Sequence, residues 1–240
     1  EINSTLITIP ETTINSGLAP SRMGLFRIEN IDNDNYWVVG GSLEDAYNIV
    51  MKVNSSGQVL TFWETEIGEG SILNSVKDES NNLWIAPLGK LVKLNTDGQA
   101  SVFPLDNIVN VTALESDQLN NIWIYPYPFD EDNGNLGAGN KLGKLNVNTN
   151  TITYYPLPEG RSTVPFSGMS RGPDGNIWFG TMNTNFTNEN PIVDLSLSSM
   201  SLEGLFSQTQ VTGINEIPLS LTLDKSNILW AIVGTIENGD

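Results

Sequence analysis

Five of the six tryptophans in this 240-residue chain sit in one recurring context, an Asn/Asp-rich turn running into a short apolar segment. The copies read Asn35-Tyr-Trp37-Val-Val, Asn82-Leu-Trp84-Ile-Ala, Asn121-Ile-Trp123-Ile-Tyr, Asn176-Ile-Trp178-Phe-Gly and Asn227-Ile-Leu-Trp230-Ala. Successive tryptophans lie 47, 39, 55 and 52 residues apart. A second segment follows most copies: Met51-Lys-Val-Asn54, Val92-Lys-Leu-Asn95, Gly143-Lys-Leu-Asn146 and Val193-Asp-Leu-Ser196. Then comes a turn (Ser55-Ser-Gly57, Thr96-Asp-Gly98) and an aromatic third segment: Val59–Trp63, Ala100–Pro104 and Thr151–Pro156. Three segments in one fixed order define a repeated unit, and a repeat of this length stacks its copies around a shared core.

Each unit reads as four short strands. The segments are rich in β-branched and aromatic residues and are bounded by Gly, Asn and Asp. No helical period persists long enough for a helix. Four strands per unit of roughly 40–50 residues specify an all-β chain, a β-propeller of about five blades. Named a to d from the channel outward, strand b carries the Trp, c the Lys-apolar-Asn segment and d the aromatic-Pro segment. Proline suits d because an outermost strand has one edge without ladder partners. The blades fall near 21–64, 70–105, 109–158, 163–208 and 214–240. The fifth reaches its b strand at 228–235 and leaves only 236–240 for c and d. Residues 1–20 form a separate N-terminal strand segment, in which Leu6-Ile-Thr-Ile-Pro10 matches the d pattern. That strand is expected to complete the fifth blade, within its own chain or in a neighbouring copy.

Composition narrows the function. Eleven Lys and Arg stand against 28 Asp and Glu, a net charge of −17, so neither nucleic acid nor an anionic membrane surface is an expected partner. No run of eighteen apolar residues occurs, so membrane insertion by a helix is not expected. The chain has no Cys and no His. A disulfide framework, a thiolate nucleophile and an imidazole base are therefore absent, and so is the zinc–thiolate chemistry that needs Cys. Hydrophobic residues make up 39% and charged residues only 16%, so the chain folds and covers its surface with neutral polar groups. That surface points to an extracellular or cell-surface protein, read here as a mature form beginning at Glu1. With so many carboxylates left over, stability is expected to hold or rise between pH 7 and pH 4.

Arg171-Gly-Pro-Asp-Gly-Asn-Ile-Trp-Phe-Gly180, and Asn140-Lys-Leu-Gly-Lys-Leu145 followed by Thr151-Ile-Thr-Tyr-Tyr-Pro-Leu-Pro158, carry a family likeness. This unit resembles the repeat of virginiamycin B lyase and its relatives, the streptogramin-lyase-like propellers. The likeness runs through nearly the whole chain and is strongest over 140–180. It implies a propeller fold, and in the family a lyase mechanism built on a histidine base, a glutamate and a magnesium ion. No residue here can supply that base, so the lyase activity is not carried over.

Candidate sites lie on the loops joining b to c and d to a, which share one face of a propeller and vary in length here. They are Ser42–Tyr47, Leu88-Gly89, Pro126–Gly139 and Asn183–Asn190. Glu44, Asp45 and Tyr47 on the first, and Tyr127, Asp130, Glu131 and Asp132 on the longest, are the expected ligand- or partner-binding residues. The latter loop lacks the calcium-loop spacing, since Gly134 comes one residue too early, so its acids read first as solvated charge. Glu64, Glu66 and Glu69 form a second acidic group on the d–a loop after blade one, again read as surface charge. The b-strand tryptophans read as core filling between blades. Sequons occur at Asn3, Asn54, Asn110 and Asn185, a number that chance alone produces at this composition. No metal site and no cofactor is implied.

The function that fits is a non-enzymatic extracellular propeller acting in binding or self-assembly, with residues 1–20 as a strand donated between subunits or closing their own ring. Two alternatives stand beside it. One is a carboxylate- or metal-dependent lyase or hydrolase working on the top face. The other is a sensor propeller that holds a small ligand or peptide.

Overall fold

A computed structural model of the chain describes residues 24–42, 47–66, 74–87, 89–106, 108, 110–127, 138–164, 167–183, 195–209 and 216–235. The chain divides into two compact units, 1–106 and 107–240.

The first unit holds two antiparallel sheets of four strands. Strands β1 (Gly24–Asn30), β2 (Asn35–Ser42), β3 (Tyr47–Asn54) and β4 (Val59–Glu66) pair in chain order. So do β5 (Ser75–Lys77), β6 (Leu83–Ile85), β7 (Lys90–Leu94) and β8 (Ala100–Pro104). Pairing sets Trp37 opposite Lys52, and Trp84 opposite Lys93. Paired residues point to one face, so the lysine reaches over the indole, with Lys93 Nζ 5.6 Å from the Trp84 ring centre. Trp37, Val39 and Val50 from the first sheet pack on Leu83, Ile85, Val92 and Leu94 of the second. Polar links tie the same two sheets together: Trp37 Nε1 donates to Asn81 O at 3.1 Å, and Lys52 Nζ to Thr96 O at 2.9 Å.

In the second unit β9 (Val111–Ser116), β10 (Asn121–Pro126), β11 (Lys141–Asn146) and β12 (Thr151–Pro156) make another four-stranded sheet, with a 3-10 turn at Ala138–Asn140 before β11. The next sheet contains β13 (Arg161–Thr163), β14 (Met169–Arg171), β15 (Ile177–Asn183), β16 (Leu195–Met200) and β17 (Phe206–Thr209). Both β13 and β14 pair with β15, at opposite ends of it, so this blade's inner strand is one strand in two pieces. Last comes a hairpin, β18 (Glu216–Leu223) with β19 (Leu229–Thr235). Trp123, Tyr125 and Leu142 of the third sheet bury against Met169, Ile177, Phe179 and Met200 of the fourth. Trp123 stacks on Tyr155 at 5.5 Å, and Lys144 Nζ lies 5.3 Å from the Trp123 ring centre.

The four-strand unit, the order of its strands and the proline-ended outer strands (Pro104, Pro156) are as the sequence predicts. Three details differ. The third strand of blade four is not set by Val193-Asp-Leu-Ser196, because Trp178 lies opposite Ser199. The segment equivalent to Met51-Lys-Val-Asn54 is therefore Ser198-Ser-Met-Ser201. Ser201 Oγ accepts from the amides of Glu203 and Leu205, as Asn54 and Asn95 Oδ1 accept from the amides two and four residues on. Register follows the residue that caps the turn, and the hydrophobic spelling alone misplaces it by five positions. Glu64 and Glu66 belong to β4, opposite Ile49 and Tyr47, and not to the loop after it. The strand of blade five opposite β18 holds Trp230 exposed.

Candidate functional site

Of the residues expected to form a rim site, Glu44, Asp45, Asp130, Glu131 and Asp132 lie outside the described residues, as do Glu69 and the sequons at Asn3 and Asn185. Tyr47 opens β3, paired with Ser42, so it is a strand residue and not a loop residue. Tyr127 follows β10, and its amide donates to Asn110 O at 2.9 Å, which fastens the start of the longest loop to the sequon residue beside β9. Asn54 is a turn cap, and Asn95 and Asn146 fill the same place with no sequon attached. That recurrence gives Asn54 a folding role independent of any glycan.

Two built clusters stand out among the described residues. The first recurs in every blade at the turn between its first two strands. Asp117 Oδ1 accepts from the amides of Leu119 and Asn121, Asn121 Nδ2 bonds both carboxylate oxygens, and Trp123 Nε1 donates to Oδ2 at 2.9 Å. Asp78 holds Ser80, Asn82 and Trp84 in the same manner. Asp224 holds Ser226, Ile228 and Trp230, and Asp174 holds Asn176 and Trp178. The carboxylate stands six residues before Trp84, Trp123 and Trp230, and four before Trp178. Before Trp37 the interval is five, and Asp32 caps Asp34 and Asn35 while the indole turns to Asn81 instead. Asn81, Asn120 and Asn227 take positive φ (63°, 60° and 62°) in this turn, a conformation Asn tolerates, and Gly175 serves there in blade four. The tether escaped the sequence analysis, although its signal, Asp-x-x-Asn followed by Trp, was printed in three blades.

These carboxylates answer the pH question with a lower limit. Backbone donation from Asp34 and the Asn35 side chain hold Asp32 below the usual carboxylate range, and the Trp230 indole with the Ile228 amide do so for Asp224. A group that binds its proton less readily when folded favours the folded state above its unfolded value, near ~4 for Asp, and loses that contribution as pH falls through its folded value. The melting temperature should thus hold or rise from pH 7 to about 4.5, as the −17 charge relaxes, and fall below about 4. A thermal-denaturation series across pH checks this, and a drop of more than about 10 °C between pH 7 and 5 refutes it.

The second cluster centres on Tyr125, fully buried in the second unit. Where the inner strand of blade four breaks between β13 and β14, the Tyr125 hydroxyl takes the vacant ladder position. It accepts from Val164 N at 2.8 Å and donates to Gly180 O at 2.6 Å. Burial pushes the phenol up, so it stays a neutral donor and acceptor. Around it Thr163 Oγ1 donates to Pro126 O, Ser162 Oγ to Gly139 O, and Thr181 pairs with Ser198. The cluster has hydroxyls and no base, and it spends its hydrogen bonds on its own backbone. It fixes blade geometry and has no group that could take a proton from a substrate.

The hairpin β18–β19 is a different kind of surface. Trp84 and Trp123 are 0% exposed, whereas Trp230 is 58% exposed, with Ile228 at 50% and Ile232 at 64%. Its indole is nonetheless tethered to Asp224 at 2.8 Å, as in the blades whose tryptophan is covered. The expectation that all the recurring tryptophans fill the core fails at Trp230, which is more than half exposed.

No family model matches the chain, and no curated protein sequence matches it. Solved structures do. Virginiamycin B lyase from Staphylococcus aureus superposes with a TM-score of 0.62 at 15% identity, over 90% of this chain and 67% of the lyase. This is the virginiamycin B lyase-like propeller fold. A catalytically inactive histidine-to-alanine form of that lyase with quinupristin gives 0.57 at 13% identity, over 86% and 69%. A gluconolactonase from Xanthomonas campestris gives 0.50 at 15%, over 81% and 65%. At these identities the likeness is one of fold. The chain contains no histidine anywhere.

Proposed function

We propose that this chain is a non-enzymatic extracellular or cell-surface propeller that acts in binding or self-assembly. The observation that carries the reading is the half blade seen among the described residues: Trp230 is held by Asp224 as the buried tryptophans are held by theirs, and it is more than half exposed. A folded protein rarely leaves so large an apolar group on a regular sheet unless something docks there. The chemistry elsewhere agrees. Among the described residues no three acidic side chains gather to hold a metal ion, and the buried hydroxyls around Tyr125 are committed to the backbone. The low charge density and neutral polar surface support a place outside the cell, where the sequon at Asn54 would carry a glycan at a turn.

Lyase and lactonase chemistry supply the test, because structures of similar fold bear those names. The purified chain, with and without added magnesium or calcium, should open neither quinupristin nor an aldonolactone faster than buffer does. Turnover that chelation abolishes would replace this reading with a carboxylate- and metal-dependent enzyme.

A further inference from the structure

Three blades are four-stranded antiparallel sheets and the fourth has its inner strand in two pieces, and in each the Trp-bearing strand is paired on both sides. Blade five, among the described residues, is half of one: β19 pairs with β18 and with no other strand. The outer strands of the other blades are guarded against further pairing. β8 and β12 end in Pro104 and Pro156, β4 ends in Glu64 and Glu66, and β17 is the polar Phe-Ser-Gln-Thr. Strand β19 reads Leu-Trp-Ala-Ile-Val-Gly-Thr, with no charge and no proline over seven residues. It is a strand built for an inner position, carrying none of the devices that keep an edge from pairing.

We propose that two copies of this chain join through β19, antiparallel about a two-fold axis, to make one four-stranded blade of order β18-β19-β19-β18. The proposal rests on the assembly reading above and names its partner. Seven residues paired end to end place the axis at Ile232, so that the two Ile232 side chains meet. Trp230 then lies opposite Gly234 of the partner subunit, where the missing side chain leaves room for the indole on the same face. Such a seam is self-complementary, as a two-fold interface must be. It also carries none of the net charge of −17 that keeps the copies apart elsewhere, so salt should strengthen it.

The test uses the whole chain. Sedimentation at tens of micromolar should give twice 26.2 kDa, and Ile232→Lys, which sets two like charges face to face, should give the single mass with an unchanged circular-dichroism spectrum. The chain has no cysteine, so Ile232→Cys should form a disulfide-linked pair on mild oxidation, since opposed strand residues lie within disulfide reach. Ile28→Cys, equally exposed on β1, should not. A wild-type monomer overturns the proposal, as does an Ile232→Lys chain that stays paired. If removal of residues 1–12 abolishes association and Ile232→Cys fails to cross-link, a donated N-terminal strand occupies this edge. The proposal then falls while the assembly reading stands. Turnover in the assay above would overturn the non-enzymatic reading whether or not the copies associate.

Discussion

Asp117→Ala should lower the melting temperature by roughly 10 °C or more, and Asp224→Ala should leave it nearly unchanged. Both carboxylates cap the amides two and four residues on and hold the indole six residues on, and Asp117 also holds the Asn121 side chain. Asp117 is completely buried and satisfies the Leu119 and Asn121 amides, the Asn121 side chain and the Trp123 indole. Alanine would strand the Asn121 amide and side chain and the Trp123 indole in a buried site, while the amide of the exposed Leu119 turns to water, and each orphaned buried donor costs ~1–3 kcal/mol. Relaxation recovers part of that, which leaves about 3–5 kcal/mol for the site. Around Asp224 the turn is exposed at Ser226, Ile228 and Trp230, so water takes over the vacated bonds. Asp117→Asn should fall between wild type and Asp117→Ala, since its one amide oxygen still accepts while its NH2 confronts donors. Differential scanning calorimetry of the three variants decides it. Equal losses at Asp117 and Asp224 would show that the tether acts through local turn propensity and not through burial.

The blades were legible because the physics behind them repeats. A tryptophan between an Asx turn and an apolar strand, then a lysine to lie over it, then an Asn to cap the next turn, leave the same mark in each copy. Where one partner changes, the mark fades. Blade four replaces the lysine with Ser199 and the cap with Ser201, and the sequence pattern slid to the wrong Val-x-Leu. Its broken inner strand was illegible for a different reason: the hydroxyl that bridges the break comes from Tyr125, 39 residues upstream. A long-range bond of that kind leaves no local pattern to read. The rim residues Glu44, Asp45, Asp130, Glu131 and Asp132 stand out in the sequence by loop length and charge alone, and they fall outside the described residues. The half blade offered a signal that was half read. Its shortage of strands was counted, but its tryptophan was grouped with the buried ones, because a motif records what holds a side chain and not what covers it.

Trp123→Ala and Trp230→Ala should separate those two roles. The motif is the same around both, a strand-b indole tied to an Asp six residues before it. Trp123 packs among Tyr125, Leu142, Phe179 and Met200, stacks on Tyr155 and carries Lys144 over its ring. Removing it opens a cavity in a close-packed core and frees the Asp117 acceptor, a loss of about 3–5 kcal/mol. Trp230 contributes little to its own unit, since more than half of its surface meets solvent. Trp230→Ala should therefore unfold at nearly the wild-type denaturant midpoint when dilute. Its cost should appear only at concentrations where copies meet, as at least a tenfold weaker association, because truncating a central aromatic anchor at an interface commonly costs ~2 kcal/mol or more. Denaturant titration at low concentration and sedimentation at high concentration read the two quantities independently. If Trp230→Ala unfolds as early as Trp123→Ala does, the indole belongs to the core of its own chain, and the exposed half blade is not a surface for a partner.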